Sequence, residues 1–332
     1  MLVIKNITKI LSLILSVTFI LFLAACGNNE SSDKNIKNGG TTMNNKVKIE
    51  YITANGLEFK VRTAGLENKG DMIVFLHGFP ESSIIWTDVM EKLSEKGFRC
   101  IAPDQRGYSA GARPVGVENY TYNNLCADVI ALADTVGNNG QFHLVGHDWG
   151  ASVTWVTNQF YPDRIKSLTA LSTPHTQAYI WAFENDPEQI AATGYIRNYQ
   201  TPGFEEYFAA NDYAILRNAW TGFPQEYIDD YLTIFSVPEA RTATINWYRT
   251  MFLPTGPENP EITLGNINVP TLYIWGSSDA YLKKAGVNLT HPYMTDDYKF
   301  VQIKGAGHWL MEFNKVAVSK EIIEHIIMNT EE

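Results

Sequence analysis

The sequence predicts an α/β protein, in which an eight-stranded, mostly parallel sheet carries helices on both faces and is interrupted by a helical insertion. Three observations lead to this prediction. Short, continuous apolar runs recur along the chain, as strands covered on both faces require. Helical stretches separate these runs and so form β–α–β units. Between about residues 176 and 262 the strand pattern stops, and the chain becomes aromatic-rich and helical in period.

The individual elements follow in order from these patterns. Two alternating segments, 47–53 and 57–64, flank Asn55-Gly56, the preferred two-residue turn of a β-hairpin. Six further strands are predicted at Met72–Leu76, Cys100–Ala102, Phe142–Val145, Leu168–Leu171, Thr271–Ile274 and Phe300–Ile303. The main helices are predicted at Trp86–Glu95, Asn123–Val136, Ser152–Tyr161 and Lys315–Met328. We assign residues 47–175 and 263–332 to the core of the fold, and residues 176–262 to a helical cap.

Composition excludes several classes of protein. With 332 residues, of which 45% are hydrophobic, the chain can bury a sizeable core. A net charge of −10 argues against nucleic acid as a partner, because phosphate binding needs clustered lysine and arginine. Three cysteines do not make a disulfide scaffold, and no CxxC or HExxH pair indicates a metal site. The single long apolar run excludes a protein that spans the membrane several times.

That apolar run, at residues 10–25, follows two lysines and has the pattern of an export signal. It ends in Leu23-Ala24-Ala25-Cys26, which resembles the lipobox of bacterial lipoproteins, whose cysteine carries the lipid. We expect residues 1–25 to be a signal peptide and Cys26 to be lipidated. Residues 26–46, rich in Asn, Ser, Gly and Thr, are expected to form a flexible tether. The alternative is an uncleaved helical anchor, and either reading places the rest of an exported chain at the cell envelope.

Gly146-His147-Asp148-Trp149-Gly150 lies between a predicted strand and a predicted helix. It has the form of the nucleophile elbow G-x-S-x-G, with Asp in place of Ser. The flanking glycines allow the strand and the helix to approach closely around a strained turn. Asp148 is therefore the predicted nucleophile, and the backbone N–H of Trp149 would lie at the start of the helix. The alternative is an Asp that only caps that helix.

Two further loops follow strands at the same predicted edge of the sheet. Asp279 comes after the strand at 271–274, and His308 follows the last strand in a glycine-flanked loop. Nucleophile, acid and histidine thus occur in the chain order of a hydrolytic triad, each after a strand. His77-Gly78-Phe79-Pro80 follows another strand, so the N–H of Phe79 is predicted to form an oxyanion hole together with that of Trp149.

Two functions are alternatives to a hydrolase with a triad centred on Asp148: a serine esterase and a binding protein without turnover. Gly107-Tyr108-Ser109-Ala110-Gly111 also fits G-x-S-x-G and would indicate a serine esterase. Pro114 follows closely, however, and the segment after Gly111 does not start the helix that an elbow requires. A surface-tethered binding protein without turnover is a second alternative. The presence of nucleophile, acid and histidine together argues against it.

From about Val47 to Met328 the chain resembles the α/β-hydrolase superfamily, and within it the branch of epoxide hydrolases and haloalkane dehalogenases, whose nucleophile is Asp. The motifs that carry the resemblance are HGFP at 77–80, DQRGYS at 104–109, GHDWGA at 146–151, WGSSD at 275–279 and GAGH at 305–308. The resemblance implies a capped α/β-hydrolase fold and an ester on Asp148. Water activated by His308, which Asp279 orients, would hydrolyse that ester without metal or organic cofactor.

The cap motif favours an epoxide hydrolase within this branch. Asn246-Trp247-Tyr248-Arg249 matches a motif of epoxide hydrolases in which the tyrosine polarises the epoxide. Tyr195 falls where the other cap tyrosine of that family is expected, with Tyr199 as an alternative. An epoxide opens to a strongly basic alkoxide, so two phenols are useful donors, whereas a halide leaves as a stable anion.

Two positions argue against dehalogenation. Haloalkane dehalogenases typically have Asn or Glu where this chain has Phe79. Fluoroacetate dehalogenases have a second Arg three residues beyond the one that matches Arg106, where this chain has Ser109. We therefore expect a small hydrophobic epoxide as substrate, with a haloalkane or haloacid dehalogenase acting on a halide as the alternative.

Overall fold

A computed structural model describes residues 47–254 and 265–330 of the chain. The predicted signal peptide, the predicted lipid site at Cys26 and the predicted tether lie outside the described residues, as do residues 255–262 of the predicted cap. No helix in the two described ranges combines the length and the apolar character needed to cross a bilayer.

The described strands form one sheet, which confirms the predicted eight-stranded, mostly parallel arrangement. The strands are β1 (Val47–Ala54), β2 (Leu57–Ala64), β3 (Met72–Leu76), β4 (Arg99–Pro103), β5 (Phe142–His147), β6 (Ile165–Leu171), β7 (Thr271–Gly276) and β8 (Tyr298–Ile303). Their order is β1-β2-β4-β3-β5-β6-β7-β8. β1 pairs with β2 and β2 with β4 in antiparallel fashion, and every other pair is parallel.

The apolar runs that predicted the strands are buried in the centre of the sheet. Every residue of β3, β5 and β7 is buried, because helices cover both faces there. The last strand departs from this expectation. In β8 half-buried and exposed residues are mixed, and Phe300 is 41% exposed. β8 lies at the edge of the sheet, so less of the molecule packs against it than against the central strands.

The four helices predicted for the core are present, and the described residues between β6 and β7, where the helical insertion was predicted, form six more helices. The helices are α1 (Thr87–Ser94), α2 (Tyr122–Thr135), α3 (Trp149–Phe160), α4 (Thr176–Asn185), α5 (Pro187–Ala192), α6 (Tyr195–Tyr199), α7 (Ala210–Ala219), α8 (Gln225–Phe235), α9 (Pro238–Thr250), α10 (Lys284–Asn288), α11 (Leu310–Phe313) and α12 (Lys315–Met328). α3 begins at Trp149, three residues before the predicted start at Ser152, because the chain turns sharply at Asp148 and the helix follows at once.

The inserted helices are tied to the loops that follow the central strands. Trp220, which directly follows α7, donates its indole N–H to the carbonyl oxygen of Pro80 at 3.1 Å, just after β3. Trp247 of α9 donates in the same way to the carbonyl oxygen of Arg106 at 2.9 Å, just after β4. Asp230 of α8 accepts a hydrogen bond from the Ser82 hydroxyl. These contacts hold the insertion beside the carboxyl ends of the strands, where open α/β sheets bind ligands.

Candidate active site

Asp148 stands at a strained turn between β5 and α3. Its backbone has φ 53° and ψ −119°, in a region that L residues rarely occupy. A Cβ at Gly146 would lie 2.3 Å from the carbonyl oxygen of Gly150, and a Cβ at Gly150 would lie 2.2 Å from that of Leu76. The close approach of strand and helix therefore requires both glycines. The side chain of Asp148 does not cap α3, so the capping alternative is wrong.

The loop after β3 supplies the first partner of this carboxylate. The backbone N–H of Phe79 donates to Asp148 Oδ1 at 2.9 Å. Gly78 lies so close that a Cβ there would be 2.4 Å from the Cβ of Asp148. Trp149, the other predicted oxyanion donor, is the first residue of α3, where backbone N–H groups have no acceptor within the helix. Both predicted donors thus flank the same carboxylate.

The loops after β7 and β8 supply the other two predicted residues. His308 Nδ1 lies 2.9 Å from Asp279 Oδ2, and His308 Nε2 lies 3.4 Å from Asp148 Oδ2. Asp279 Oδ1 accepts the backbone N–H groups of Tyr281 and Leu282 at 2.8 and 2.9 Å, which fixes the orientation of that carboxylate. The structure therefore brings the three predicted triad residues together, although 160 positions of sequence separate the first from the last.

Charge in this cluster favours an ion pair. Burial by itself would lower the pKa of His308, but the charge of Asp279 and hydrogen bonds to both carboxylates raise that pKa well above its ordinary value. Burial would raise the pKa of Asp148, but the hydrogen bond and the charge of His308, helped by the Phe79 N–H, hold it below its ordinary value. Both shifts favour a protonated imidazole between two ionised carboxylates in the resting site.

The two predicted cap tyrosines lie at the same place. Tyr248 of α9 is buried, with its ring centroid 5.1 Å from that of Trp149 and 5.4 Å from that of Phe79. Tyr195, the first residue of α6, has its ring centroid 6.0 Å from that of Tyr248. Burial, with the nearby charge of Asp148, raises the pKa of both phenols well above 10. Both phenols therefore remain protonated near neutral pH and are available as donors.

Two cavities meet at Asp148. The first has a volume of about 380 Å³ and the second about 480 Å³, sizes typical of sites for small molecules. Four residues line both cavities: Asp148, Tyr195, Tyr248 and Tyr281. Tyr199, the alternative to Tyr195, lines only the first cavity, so the structure favours Tyr195 as the partner of Tyr248.

The residues that an esterase or a haloacid dehalogenase would need make structural contacts outside the candidate site. Ser109 is buried, accepts the backbone N–H of Lys60 at 2.9 Å and donates to the carbonyl oxygen of Asp104. The guanidinium of Arg106 donates twice to the carboxylate of Asp128, each time at 2.7 Å. Neither side chain lines the two cavities at the nucleophile. The serine needed by an esterase and the arginine needed for a haloacid are therefore both engaged in structural contacts.

Sequence analysis did not predict a buried hydrogen-bonded pair, Glu81 and His147, that joins three loops of the candidate site. Glu81 Oε2 accepts the backbone N–H of Gly78 at 2.8 Å and lies 3.0 Å from His147 Nδ1. His147 Nε2 in turn lies 3.0 Å from the carbonyl oxygen of His308. The loop of Phe79, the elbow and the histidine loop therefore share one hydrogen-bond network. Glu81 directly follows the HGFP motif and His147 lies within GHDWGA, but nothing in their spacing indicates that they meet.

Tyr281 is a second residue that the sequence analysis did not identify. It follows Asp279 by two positions and lines both cavities. Its ring meets the imidazole of His308 edge to face, with the centroids 4.9 Å apart. A tyrosine in a loop carries no periodic signal, so its position is visible only in the folded chain.

Comparisons with known proteins agree with this geometry. A family model described as the alpha/beta hydrolase fold matches residues 71–315. The AB hydrolase superfamily protein YfhM of Bacillus subtilis is 31% identical over 84% of this chain and 98% of its own length. Epoxide hydrolase A of Mycobacterium tuberculosis is 29% identical over 83% of this chain and 96% of its own. The crystal structure of epoxide hydrolase A from Mycobacterium thermoresistibile has a TM-score of 0.73 at 26% identity, covering 86% of this chain and 99% of that one.

Proposed function

Because the chain belongs to the alpha/beta hydrolase fold family, we propose that it is an epoxide hydrolase, which opens an epoxide to a vicinal diol through an ester on Asp148. One observation carries the proposal. The carboxylate of Asp148, paired with His308 at 3.4 Å, lines the same cavities as the hydroxyl-bearing rings of Tyr195 and Tyr248. The similarity to proteins named epoxide hydrolases supports it.

In the first step Asp148 attacks an epoxide carbon. A carboxylate is ionised at neutral pH and needs no base, and the low pKa of this one favours the charged form. The new carbon–oxygen bond joins the substrate to Asp148 while the ring bond to the epoxide oxygen breaks. That oxygen becomes an alkoxide and takes up one proton, which is the proton that the His308 imidazolium gives up once the ester has formed. Tyr195 and Tyr248 donate hydrogen bonds to the oxygen as negative charge develops on it.

The first step prepares His308 for the second. The charge of Asp148 is one of the causes that raise the pKa of His308, and forming the ester removes that charge. The pKa of His308 therefore falls, and the imidazole loses its proton and acts as a general base. It takes a proton from a water molecule that attacks the ester carbonyl, while Asp279 stabilises the imidazolium formed.

The oxyanion of this second step forms on the carboxyl group of Asp148 itself. The N–H of Phe79 already donates to Oδ1 of that group at 2.9 Å, so the donor is in place before the charge develops. The N–H of Trp149 at the start of α3 is the proposed second donor. Collapse of the tetrahedral intermediate breaks the ester, and the His308 imidazolium protonates the departing oxygen, which releases the diol. The acid left on Asp148 then returns a proton to His308, which restores the starting ion pair.

A substrate panel tests this function directly. Wild-type protein and Asp148→Asn are assayed with epoxides, haloalkanes, haloacids and p-nitrophenyl esters. We expect diol formation from epoxides that disappears in Asp148→Asn, because an amide is a far weaker nucleophile than a carboxylate. Halide release that exceeds diol formation would support a dehalogenase instead. Esterase activity that survives Asp148→Asn would support a serine enzyme.

We also propose that the protein is exported and held at the bacterial cell envelope by a lipid on Cys26. The lipobox-like sequence after an apolar stretch supports this proposal. The test compares wild-type protein with Cys26→Ser for incorporation of radiolabelled palmitate and for sedimentation with membranes. Label and membrane association that depend on Cys26 are the expected result. Membrane association without label in both proteins would favour an uncleaved helical anchor.

A further inference from the structure

Resting on the proposed function, we propose that the substrate is an uncharged internal epoxide, with one arm in each of the two cavities that meet at Asp148. The proposal concerns two features that the reaction itself does not demand: substitution on both epoxide carbons and the absence of charge on the arms. The first feature follows from where the cavities meet, and the second from the charges that line them.

The reacting groups lie at the junction of the two cavities rather than at the end of either one. Asp148, Tyr195 and Tyr248 line both. An epoxide bound between the nucleophile and the phenols therefore has free volume on two sides, about 380 Å³ on one and about 480 Å³ on the other. A substituent on each carbon fills both volumes. A terminal epoxide fills one and leaves the other to water.

The two cavities differ in character, so the arms are expected to differ as well. The first cavity is lined mainly by large apolar and aromatic side chains, among them Phe79, Tyr199, Phe208, Leu216 and Trp309. The second adds hydroxyl groups to an apolar wall, from Ser152, Thr173, Thr176, Thr193 and Thr250. A purely hydrocarbon arm fits the first cavity, and an arm with a neutral polar group fits the second.

Charge argues against an acidic arm. In the described part of the chain, no lysine or arginine lines either cavity, whereas Glu184 lines the second. The imidazole of His308 is already paired with Asp148 and Asp279. A carboxylate on the substrate would therefore enter beside like charges and without a counter-ion, which is unfavourable.

The first experiment compares cis-4,5-epoxyoctane with 1,2-epoxypentane, a terminal epoxide that keeps one propyl arm and lacks the other. Each buried methylene contributes roughly fourfold to binding, so filling the second cavity with the additional arm is expected to raise kcat/KM about tenfold or more for the internal epoxide. Equal or faster turnover of the terminal epoxide would overturn the inference and leave the epoxide hydrolase function intact. Failure of the enzyme to open either epoxide would overturn both.

A matched set of variants tests whether both cavities are used. Ile215 lines the first cavity and Ile180 the second, and both are partly exposed, at 45% and 37%, so tryptophan is tolerated at either position. Ile327 of α12 is 45% exposed and lines neither cavity, which makes Ile327→Trp the control. We expect Ile215→Trp and Ile180→Trp each to lower kcat/KM for cis-4,5-epoxyoctane at least tenfold relative to the control. A loss in only one of the two would place the substrate in a single cavity and overturn the proposal.

A second matched set tests the exclusion of charge. An internal epoxide with a terminal carboxylate is compared with its methyl ester, and the acid is expected to have a kcat/KM at least tenfold lower. Glu184→Gln should narrow this difference, whereas Glu188→Gln, at an exposed site outside both cavities, should not. Equal rates for acid and ester in the wild-type protein would overturn the inference of an uncharged substrate.

Discussion

Replacing His308 by glutamine should stop the proposed reaction after its first step. A glutamine amide can still meet Asp279, which lies 2.9 Å from His308 Nδ1, but it is not a base. Asp148 loses the imidazolium that lowers its pKa, yet it keeps the Phe79 N–H. Burial then raises the pKa of Asp148 against the remaining effect of the Phe79 N–H, so the variant is assayed at pH 8 or above, where the carboxylate is ionised and attack on the epoxide continues.

The size of the effect follows from the role of the imidazole. General base catalysis contributes typically 10²–10⁴-fold, so hydrolysis of the ester should slow by that factor while its formation changes little. If the two steps proceed at similar rates in the wild-type protein, a loss of 10²-fold or more leaves about 99% of the variant as the ester at saturation. The variant should therefore rapidly consume about one epoxide per active site and then release diol only at the slow rate of ester hydrolysis.

Mass spectrometry of the intact variant checks this expectation. The opening of an epoxide expels no atom, so the protein should gain the full mass of the substrate, and a peptide map should place that mass on Asp148. The double variant Asp148→Asn/His308→Gln is the matched control and should remain unmodified. An inactive His308→Gln protein that carries no adduct, or an adduct at another residue, would refute the assignment of the two steps.

Three further outcomes follow from the geometry of the site. Tyr248→Phe should slow epoxide opening by ~10²-fold, because one donor to the developing alkoxide is lost. Tyr227→Phe, which changes a buried tyrosine outside both cavities, should leave the rate of opening nearly unchanged. Gly78→Ala should displace the Asp148 side chain and lower the free energy of unfolding by ~1–3 kcal/mol, as overpacking does. Gly140→Ala places its Cβ with no atom within 4 Å, so it should change neither activity nor stability. Denaturant melts and activity assays check both variants. If ester hydrolysis limits turnover, kcat should fall with decreasing pH as His308 becomes protonated in the ester. This fall should occur at a higher pH than the fall in kcat/KM, which reports ionisation of the Asp148 carboxyl, whose pKa is held below its ordinary value by His308. Acid limbs of kcat and kcat/KM at the same pH would contradict this.

Sequence reasoning succeeded where one physical rule connects distant positions. The carboxyl ends of parallel strands meet at one edge of a sheet. Asp148, Asp279 and His308 each follow a strand that an apolar run predicts, so their meeting could be anticipated without any measured contact. The same reasoning placed the Phe79 N–H beside the nucleophile. It placed the start of α3 too late, because the apolar pattern does not register the backbone turn at the elbow.

The sequence by itself predicted the sheet, the insertion and the position of the proposed nucleophile, because burial patterns and turn residues are local properties of the chain. Only the tertiary structure placed Tyr195 at both cavities and Tyr199 at one, joined Glu81 to the elbow, and opened one cavity on each side of Asp148. Those features depend on how the inserted helices pack over the sheet. Packing is set by the fit of many side chains at once, which the spacing of residues along one chain does not encode.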